Sequence, residues 1–569
     1  MNKVINFLKS HKIEIIFFFI TYLILLVNSI HENYPDEMDN ILGGYLINLG
    51  ELPYTGFFTH HGPLAYYLAS FLTLFSGQSF VKFRLLSSIF FLFLLIISYI
   101  TIKKRIRSIN PSFFFFYILI LVLSSTYYWF HMFLADPLSG FFFIPAYALV
   151  FLKIYKKEAL GKMDLILISI FSSLSVINSA TYSYAVFILI VFTFFYYLFF
   201  LDFKILFNKL LFKNILVFVV IFAVPYLFFV LFLLITQSFG DYYFQALIYN
   251  RNYYIYNYPK PVGSSSFNPI RYAIIIINEF VNSYQVLLSG VKNVDFINPL
   301  NVTFALSNLV LWIFLIIKKR YFLFLFSILL IIFVNVRSQP IKTRASDYQA
   351  SVYLMLSFLN SSFLLFFLKD ELNNIKNYIF RILLTILFVL VIIFWFFSTV
   401  SFFGELWRIS FLRYMGKMPL IYDRPQVANM VNDIVPKKDY CWVGPFDFEE
   451  IFYLDCKLPS RFHIIRRFFI EIPSFKNEMM DSYSRNMPDV VVYRRQVFGQ
   501  GAKPEDKFFT DFLDKNYILF KDYKDGNKYI FKSGNPKDYN LPYDLNLEKT
   551  KAKSLIKKLY EKGYIDKSN

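Results

Sequence analysis

Long apolar runs recur along this chain and restrict the class of fold it can adopt. About eleven stretches of roughly 16 to 23 mostly apolar residues are each long enough to cross a hydrocarbon core about 30 Å thick. Only 17% of the residues are charged and 57% are apolar, which excludes a disordered chain and an ordinary soluble enzyme. The sequence therefore predicts a polytopic α-helical membrane protein. The candidate spans lie near 13–30, 85–102, 112–130, 137–154, 164–180, 183–201, 214–236, 302–317, 321–336, 348–368 and 380–400.

The loops between these spans alternate in charge, and this pattern predicts their orientation. Every second loop is rich in lysine and arginine, as at 103–107, 153–162, 204–213 and 318–320. The positive-inside rule assigns these loops and the N-terminus to the cytoplasm. The formal net charge of +19 is then mostly a topology signal, and nucleic acid is not expected as a partner.

Two parts of the chain are predicted to lie outside the membrane on the opposite side. The first external loop, 31–84, belongs to a transmembrane domain of residues 1–400, and its short apolar stretch 63–77 is expected to form a helix in the outer interface. Residues 401–569 are predicted to form an extracytoplasmic mixed α/β domain, because charged residues become frequent there and short β-type runs occur. These runs are 440–443, 489–493, 517–520 and 528–531. Cys441 and Cys456 form either a disulfide or two buried thiols.

The first external loop is acidic and carries the leading candidates for chemistry. After Pro35, apolar residues recur at helical spacing, so the segment is expected to lie as an amphipathic helix on the outer leaflet. Asp36 and Glu37 stand at the start of this helix, and Asp39 follows. These acids either cap free N–H groups or act on a substrate that arrives along the membrane surface.

Basic residues in a second external loop have the opposite character. Arg337, Lys342 and Arg344 lie where the positive-inside rule disfavours cations. They would suit a phosphate, or they could meet anionic lipid head groups or acids of the tail domain. Arg84 is a further candidate anion contact, or else a residue flanking a span.

Other polar residues face the same compartment. Asp136 begins a span and is either a second site carboxylate or a helix cap. His60 and His61 could bind a substrate hydroxyl or a metal, although adjacent histidines on a loop point in different directions, which disfavours joint ligation. Asp136, His60 and His61 are therefore candidates for substrate binding.

Together these groups indicate one kind of reaction. A sugar joined to a lipid phosphate has a leaving group that cations can stabilise, so the missing component is a base. A carboxylate beside the membrane could take the proton of an acceptor hydroxyl as it attacks the anomeric carbon, and a single in-line displacement would invert the configuration.

The order of motifs resembles the C-superfamily (GT-C) of polyprenyl-phosphate-sugar-dependent glycosyltransferases, which includes the aminoarabinose transferase and the protein O-mannosyltransferases. The motifs are one span, then Asp36-Glu37, then Gly50 to Tyr54, an aromatic pair, His61 to Leu64 and Arg84. The resemblance implies a GT-C fold in the bacterial plasma membrane, a polyprenyl-phosphate sugar donor and an extracytoplasmic glycan, lipid or protein acceptor. It also implies that Asp36 is the catalytic carboxylate, with Glu37 as its partner and Tyr54 in the substrate-binding loop.

Two points stay open within this resemblance. Many members have an aspartate two residues after the Pro-Tyr pair, where this chain has Gly56, so the role of that second acid is either absent or passed to Asp39 or Asp136. Members also differ in metal use, so no cofactor is assigned and a divalent metal stays an alternative. The competing functions are a lipid-linked oligosaccharide flippase or transporter, which would show broken helices or charges inside the bilayer, and an O-antigen polymerase or ligase.

Overall fold

A computed structural model describes most of the helical region and the centre of the tail. The described residues are 11–31, 34–106, 112–126, 128–199, 209–254, 273–278, 280–281, 284, 299–334, 348–374, 378–379, 381–383, 385–386, 389, 393, 404, 407–418, 426–465, 472–493, 507–522, 529–533, 557–558 and 561.

Helices occupy the apolar runs that the sequence predicts as spans. One lies in each predicted span from 13–30 to 348–368, whereas 380–400 lies largely outside the described residues. Among the described residues, five helices are long and apolar enough to cross a membrane: Phe80–Arg105, Ala135–Lys156, Ala180–Leu198, Phe212–Ile235 and Tyr348–Lys369. The longer described helices before the tail are α1 Lys12–Asn28, α2 Pro35–Asn48, α3 Leu64–Ser76, α4 Phe80–Arg105, α5 Ser112–Leu123, α6 Ala135–Lys156, α7 Lys162–Asn178, α8 Ser183–Phe199, α9 Lys209–Ile235, α10 Pro299–Ile317, α11 Tyr321–Val334 and α12 Ser351–Asn374.

One predicted span is longer than its helix. The span predicted over 112–130 ends as a helix at Leu123, and turns follow. The hydroxyls of Ser124 and Ser125 donate to the carbonyls of Ile120 and Val122, at 2.7 and 2.9 Å. Such local bonds compete with the helical ladder, which accounts for the early end.

The two ends of the helical bundle differ in charge. Ion pairs near the ends of several helices join those helices at one end of the bundle, and their cations belong to the stretches predicted to be cytoplasmic loops. The pairs are Lys103–Glu14, Arg105–Asp164, Lys153–Glu158 and Lys318–Glu371. Asp36 follows the opposite end of α1, and Asp136 and Tyr348 lie at the opposite ends of α6 and α12, so the two classes of loop are separated as the charge pattern predicts.

The helix predicted after Pro35 is present, but its apolar side meets protein. Met38, Ile41 and Leu42 of α2 are buried against α3 and the tail, so the expectation that this side rests on the outer leaflet is wrong. Close approach to α3 requires glycine, since a Cβ on Gly44 would lie 2.6 Å from the Ala69 carbonyl carbon. The side of α3 that faces away from α2 carries exposed Phe71, Leu74 and Phe75.

The described part of the tail contains a four-stranded sheet with helices on its faces. All four strands predicted from the sequence are present, in the order β1-β2-β4-β3, with β1 and β2 parallel and the other two pairs antiparallel. The tail elements are α13 Gln426–Ile434, β1 Cys441–Gly444, α14 Phe448–Phe452, α15 Pro473–Arg485, β2 Val490–Tyr493, α16 Lys507–Asn516, β3 Tyr517–Asp522 and β4 Tyr529–Ser533. Cys441 and Cys456 form a disulfide, which settles the alternative left by the sequence.

Alternate residues of β1 pack on opposite faces of the sheet, and one of these faces packs against the helical bundle. Val443 of β1 belongs to the apolar core that continues into the transmembrane helices, whereas its neighbour Trp442 points to the other face, against Tyr483 and Phe509. Arg461 fixes the tail to the first external loop, because its Nη1 donates to the Tyr54 carbonyl at 2.6 Å. The tail therefore rests on the loop that carries Asp36.

Candidate active site

Asp36 occupies the first turn of α2, at the end of the helical bundle that faces the tail. Pro35 occupies the first helical position, where its missing N–H costs no hydrogen bond. The Asp36 carboxylate is partly exposed and accepts a hydrogen bond from the hydroxyl of Tyr348. This contact joins the first external loop to the residue at which the chain enters α12.

Glu37 has a different environment from its neighbour. Its side chain and that of Arg84 are both 0% exposed and form an ion pair, and its Oε1 accepts from the Phe133 N–H at 2.8 Å. Burial raises the pKa of Glu37, while the Arg84 charge and the Phe133 N–H oppose the rise. This carboxylate is therefore a structural partner and is not placed to act on a substrate.

Arg84, which the sequence suggested as an anion contact, is buried together with Glu37. Besides Glu37, its guanidinium donates to the Ser29 carbonyl at 2.8 Å and lies 4.9 Å from the Phe80 ring centre. Since the side chain is fully buried, it offers no surface to a phosphate, and neither a substrate contact nor a solvent-facing flank describes it. Its contacts fasten the end of α1 to the starts of α2 and α4.

Asp39 lies one turn beyond Asp36 in α2 and also accepts from a tyrosine. The Tyr66 hydroxyl donates to Asp39 at 2.9 Å and lies 2.7 Å from the Thr59 hydroxyl. Burial, followed by the Asp39 charge, raises the pKa of Tyr66 well above its ordinary value. Asp39 thus connects α2 to α3 and to the loop before it.

The Pro-Tyr and His-His motifs form a compact loop beneath the tail. Tyr54 adopts a left-handed backbone with φ of 73°, is almost fully buried, and donates its hydroxyl to the His61 carbonyl at 2.8 Å. A side chain at Gly56 would meet Glu51 and the Leu52 backbone, which explains why no aspartate stands there. Tyr54 is a packing residue of this loop, and its ring offers almost no surface to a substrate.

The two histidines stack on one another, with ring centres 4.0 Å apart. His60 is mostly buried and also packs on Tyr254 at 4.4 Å, whereas His61 is partly exposed. Within the part of the chain that the structure covers, no three histidine, cysteine or acidic side chains come together as a metal site would require.

Asp136 begins α6 and accepts a hydrogen bond from the Tyr182 hydroxyl at 2.6 Å. It is buried, and beside it the Asn178 amide donates to the Ala135 carbonyl at 2.5 Å. Its observed contact joins the starts of α6 and α8.

The three cations predicted to meet a phosphate, Arg337, Lys342 and Arg344, lie outside the described residues. The described chain resumes at Tyr348, four positions after Arg344, where a short turn leads into α12.

Two aromatic residues at the site were missed by sequence reasoning. Tyr34 and Trp129 lie beside Tyr348, with ring centres 5.3 and 6.1 Å from it. Tyrosine and tryptophan near a membrane surface are common enough that no pattern singled these out.

Buried polar groups inside the bundle were missed as well. Asn308 and Asn360 bond to each other at 2.9 Å, and the Tyr147 hydroxyl donates to Asn360 at 2.6 Å. These side chains are neutral, so they satisfy one another without placing a charge at that depth.

Comparisons with known proteins return solved structures only: no protein-family model matches the chain, and no curated protein does. ArnT from Cupriavidus metallidurans in the apo state is similar over 92% of this chain and 98% of its own, with 11% identity and a TM-score of 0.48. ArnT bound to undecaprenyl phosphate has a TM-score of 0.45 over the same shares, at 11% identity. The oligosaccharyltransferase AglB from Archaeoglobus fulgidus, in complex with an inhibitory peptide and a dolichol-phosphate, is similar over 94% of this chain and 75% of its own, with 12% identity and a TM-score of 0.43.

Proposed function

We propose that this chain is an inverting membrane glycosyltransferase that moves a sugar from a polyprenyl-phosphate donor to an extracytoplasmic lipid, glycan or protein. Asp36 is the general base, which takes the proton of the acceptor hydroxyl as the oxygen attacks the anomeric carbon. The bond from that carbon to the lipid phosphate breaks, and the phosphate leaves as an anion. No general acid is required, because cations stabilise the leaving group.

The contact between Tyr348 and Asp36 carries this proposal. The two residues are 312 positions apart, yet the tyrosine hydroxyl meets the carboxylate. Tyr348 directly follows the cationic loop 337–347 in sequence, so the base and the cations proposed for the phosphate belong to adjoining stretches of chain. A base close to cations is the arrangement that displacement of a sugar phosphate needs.

The division between the two adjacent acids supports the same assignment. Glu37 is buried and neutralised by Arg84, whereas Asp36 is partly exposed. A general base must reach its substrate proton within hydrogen-bond distance, so only Asp36 qualifies.

The orientation in the cell belongs to this proposal. The cation-rich end of the bundle faces the cytoplasm of a bacterium, and Asp36 and the tail lie outside the plasma membrane. The disulfide between Cys441 and Cys456 fits an oxidising compartment.

The test is Asp36→Asn in purified protein, with transfer from a panel of polyprenyl-phosphate sugars as the readout. Asparagine has nearly the same shape and can still accept from Tyr348, so folding should be retained. Because general-base catalysis contributes about 10²- to 10⁴-fold, transfer should fall by at least about 100-fold. The matched control is Glu14→Gln, which breaks an ion pair at the far end of the bundle and should leave transfer near the wild-type rate.

Retained transfer in Asp36→Asn would remove this residue from the mechanism. A second arm uses Arg344→Ala, which should raise the donor KM or lower kcat if the loop holds the leaving phosphate. Unchanged kinetics would leave that loop without a role in transfer. Movement of a lipid-linked sugar across vesicles without any transfer would instead favour the flippase.

A further inference from the structure

Two further aromatic rings lie beside Tyr348, whose hydroxyl contacts Asp36. Tyr34 lies immediately before α2, Trp129 lies in the turns after α5, and Tyr348 leads into α12. The Trp129 and Tyr348 rings are nearly parallel, at 15° with centres 6.1 Å apart. Tyr34 lies 5.1 Å from Trp129 and 5.3 Å from Tyr348. Rings from three distant parts of the chain therefore form one cluster, which we name the aromatic platform.

Trp129 has a backbone conformation that is unusual for a large side chain. Its φ of 59° lies in the left-handed region, which is uncommon for bulky residues. The turn is held by the Phe130 N–H, which donates to the Ser125 carbonyl at 2.9 Å. Tyr128 and Phe130 are buried, whereas Trp129 stays partly exposed beside the site. The left-handed turn thus keeps the Trp129 side chain partly exposed between two buried aromatic residues.

We propose that the aromatic platform stacks against the sugar ring of the donor and holds its anomeric carbon beside Asp36. This inference rests on the proposed function. A base at Asp36 must contact the attacking hydroxyl, which in turn must lie about 3–3.5 Å from the anomeric carbon. The reacting sugar ring is then within a few ångströms of Tyr348, whose hydroxyl already touches the base.

The chemistry of the platform favours a sugar over the polyprenyl chain. Tyr34 and Trp129 are partly exposed, and each has an apolar face and a polar edge, a phenol hydroxyl and an indole N–H, whereas Tyr348 is buried against them. A sugar ring presents C–H groups on its face and hydroxyls around its rim, so it matches both features. An isoprenoid chain could cover the face of Trp129 but has no hydroxyl to pair with its indole N–H.

The experiment replaces Trp129 without disturbing its turn. Trp129→Asn removes the ring and keeps a residue that tolerates the left-handed conformation, and Trp129→Phe restores an aromatic face. Three constants are measured for each variant: the donor KM, the acceptor KM, and the inhibition constant of polyprenyl phosphate that carries no sugar. Tyr321→Ala, an exposed aromatic at the basic end of the bundle, is the control.

Trp129→Asn should raise the donor KM by about tenfold, the upper end expected for one aromatic contact. Trp129→Phe should recover most of the loss, and the sugar-free lipid should bind each variant within about twofold of wild type. If Trp129→Asn yields too little folded protein, Tyr34→Ala gives the same comparison from another ring.

Each other outcome overturns the assignment in a distinct way. Equal weakening of the donor and of the sugar-free lipid would mean that the platform binds lipid. A rise in the acceptor KM alone would assign it to the acceptor. Wild-type transfer with an unaffected Trp129→Asn would refute the platform and leave the proposed function standing, whereas a wild-type protein inactive with every donor would refute both.

Discussion

Breaking the buried pair between Glu37 and Arg84 should cost more stability than any surface ion pair would. Both side chains are 0% exposed, so removal of one leaves the other charged, buried and only partly compensated. Glu37 would keep the Phe133 N–H, and Arg84 would keep the Ser29 carbonyl at 2.8 Å. Loss of one partner from such a pair typically destabilises by about 3–5 kcal/mol, against roughly 0–1 kcal/mol at a surface.

The variants are Glu37→Gln, Arg84→Met and the double replacement, measured as free energies of unfolding in detergent micelles by denaturant titration. Each single variant should lose about 3–5 kcal/mol, and the double variant should be more stable than the sum of the two losses by at least about 2 kcal/mol, because no buried charge remains. Single variants as stable as wild type, or strictly additive losses, would refute this role. An Arg84→Met protein of normal stability with a raised donor KM would restore the phosphate contact that the sequence suggested.

Two further predictions concern the framework around the site. Burial lowers the pKa of His31 from 6.5 to about 4, so the stability that depends on its neutral form is present above pH 6.5 and is lost as the pH falls toward 4. His31→Gln should therefore flatten that part of a stability–pH curve by up to roughly 3 kcal/mol. A curve parallel to that of the wild type would contradict this. Gly44→Leu should separate α2 from α3 and lower the melting temperature. Gly240→Ala should leave it unchanged, because a Cβ added there meets nothing within 4 Å. Equal melting temperatures for Gly44→Leu and wild type would show that the close approach of the two helices is unnecessary.

Local patterns in the sequence predicted the elements better than they predicted the contacts between them. The strand at 489–493 could be recognised because it is a short β-branched run, and the helix after Pro35 because apolar residues recur at helical spacing. Neither pattern says what the apolar side will touch. The tail covers α2 through contacts such as that of Tyr45 with Phe452. No pattern within 35–48 indicates that its apolar side packs on residues some 400 positions later.

Contacts between distant residues were also missed at the candidate site. Asp36 was identified because a carboxylate beside the membrane suits the chemistry and because its motif resembles a known family. Its partner Tyr348 and the neighbouring Trp129 come from other loops, and only the packing of α5, α6 and α12 brings them together. Arg84 was misjudged for a related reason. An arginine at the membrane boundary is compatible with a phosphate, with a lipid head group and with a buried acid, and the choice depends on a side chain 47 positions earlier.

The Asp36-Glu37 pair acquires two roles through helix geometry. Consecutive residues on an α-helix project about 100° apart, so when one of them points into the bundle the next must point along its rim. Arg84 holds Glu37 inward, and this fixes the rotation of α2 about its axis. That rotation turns Asp36 toward Tyr348 and the partly exposed side of the helix. A helix turn anchored by a buried ion pair can thus hold a single partly exposed carboxylate in a defined place, which is what the proposed general base needs in order to meet an acceptor hydroxyl.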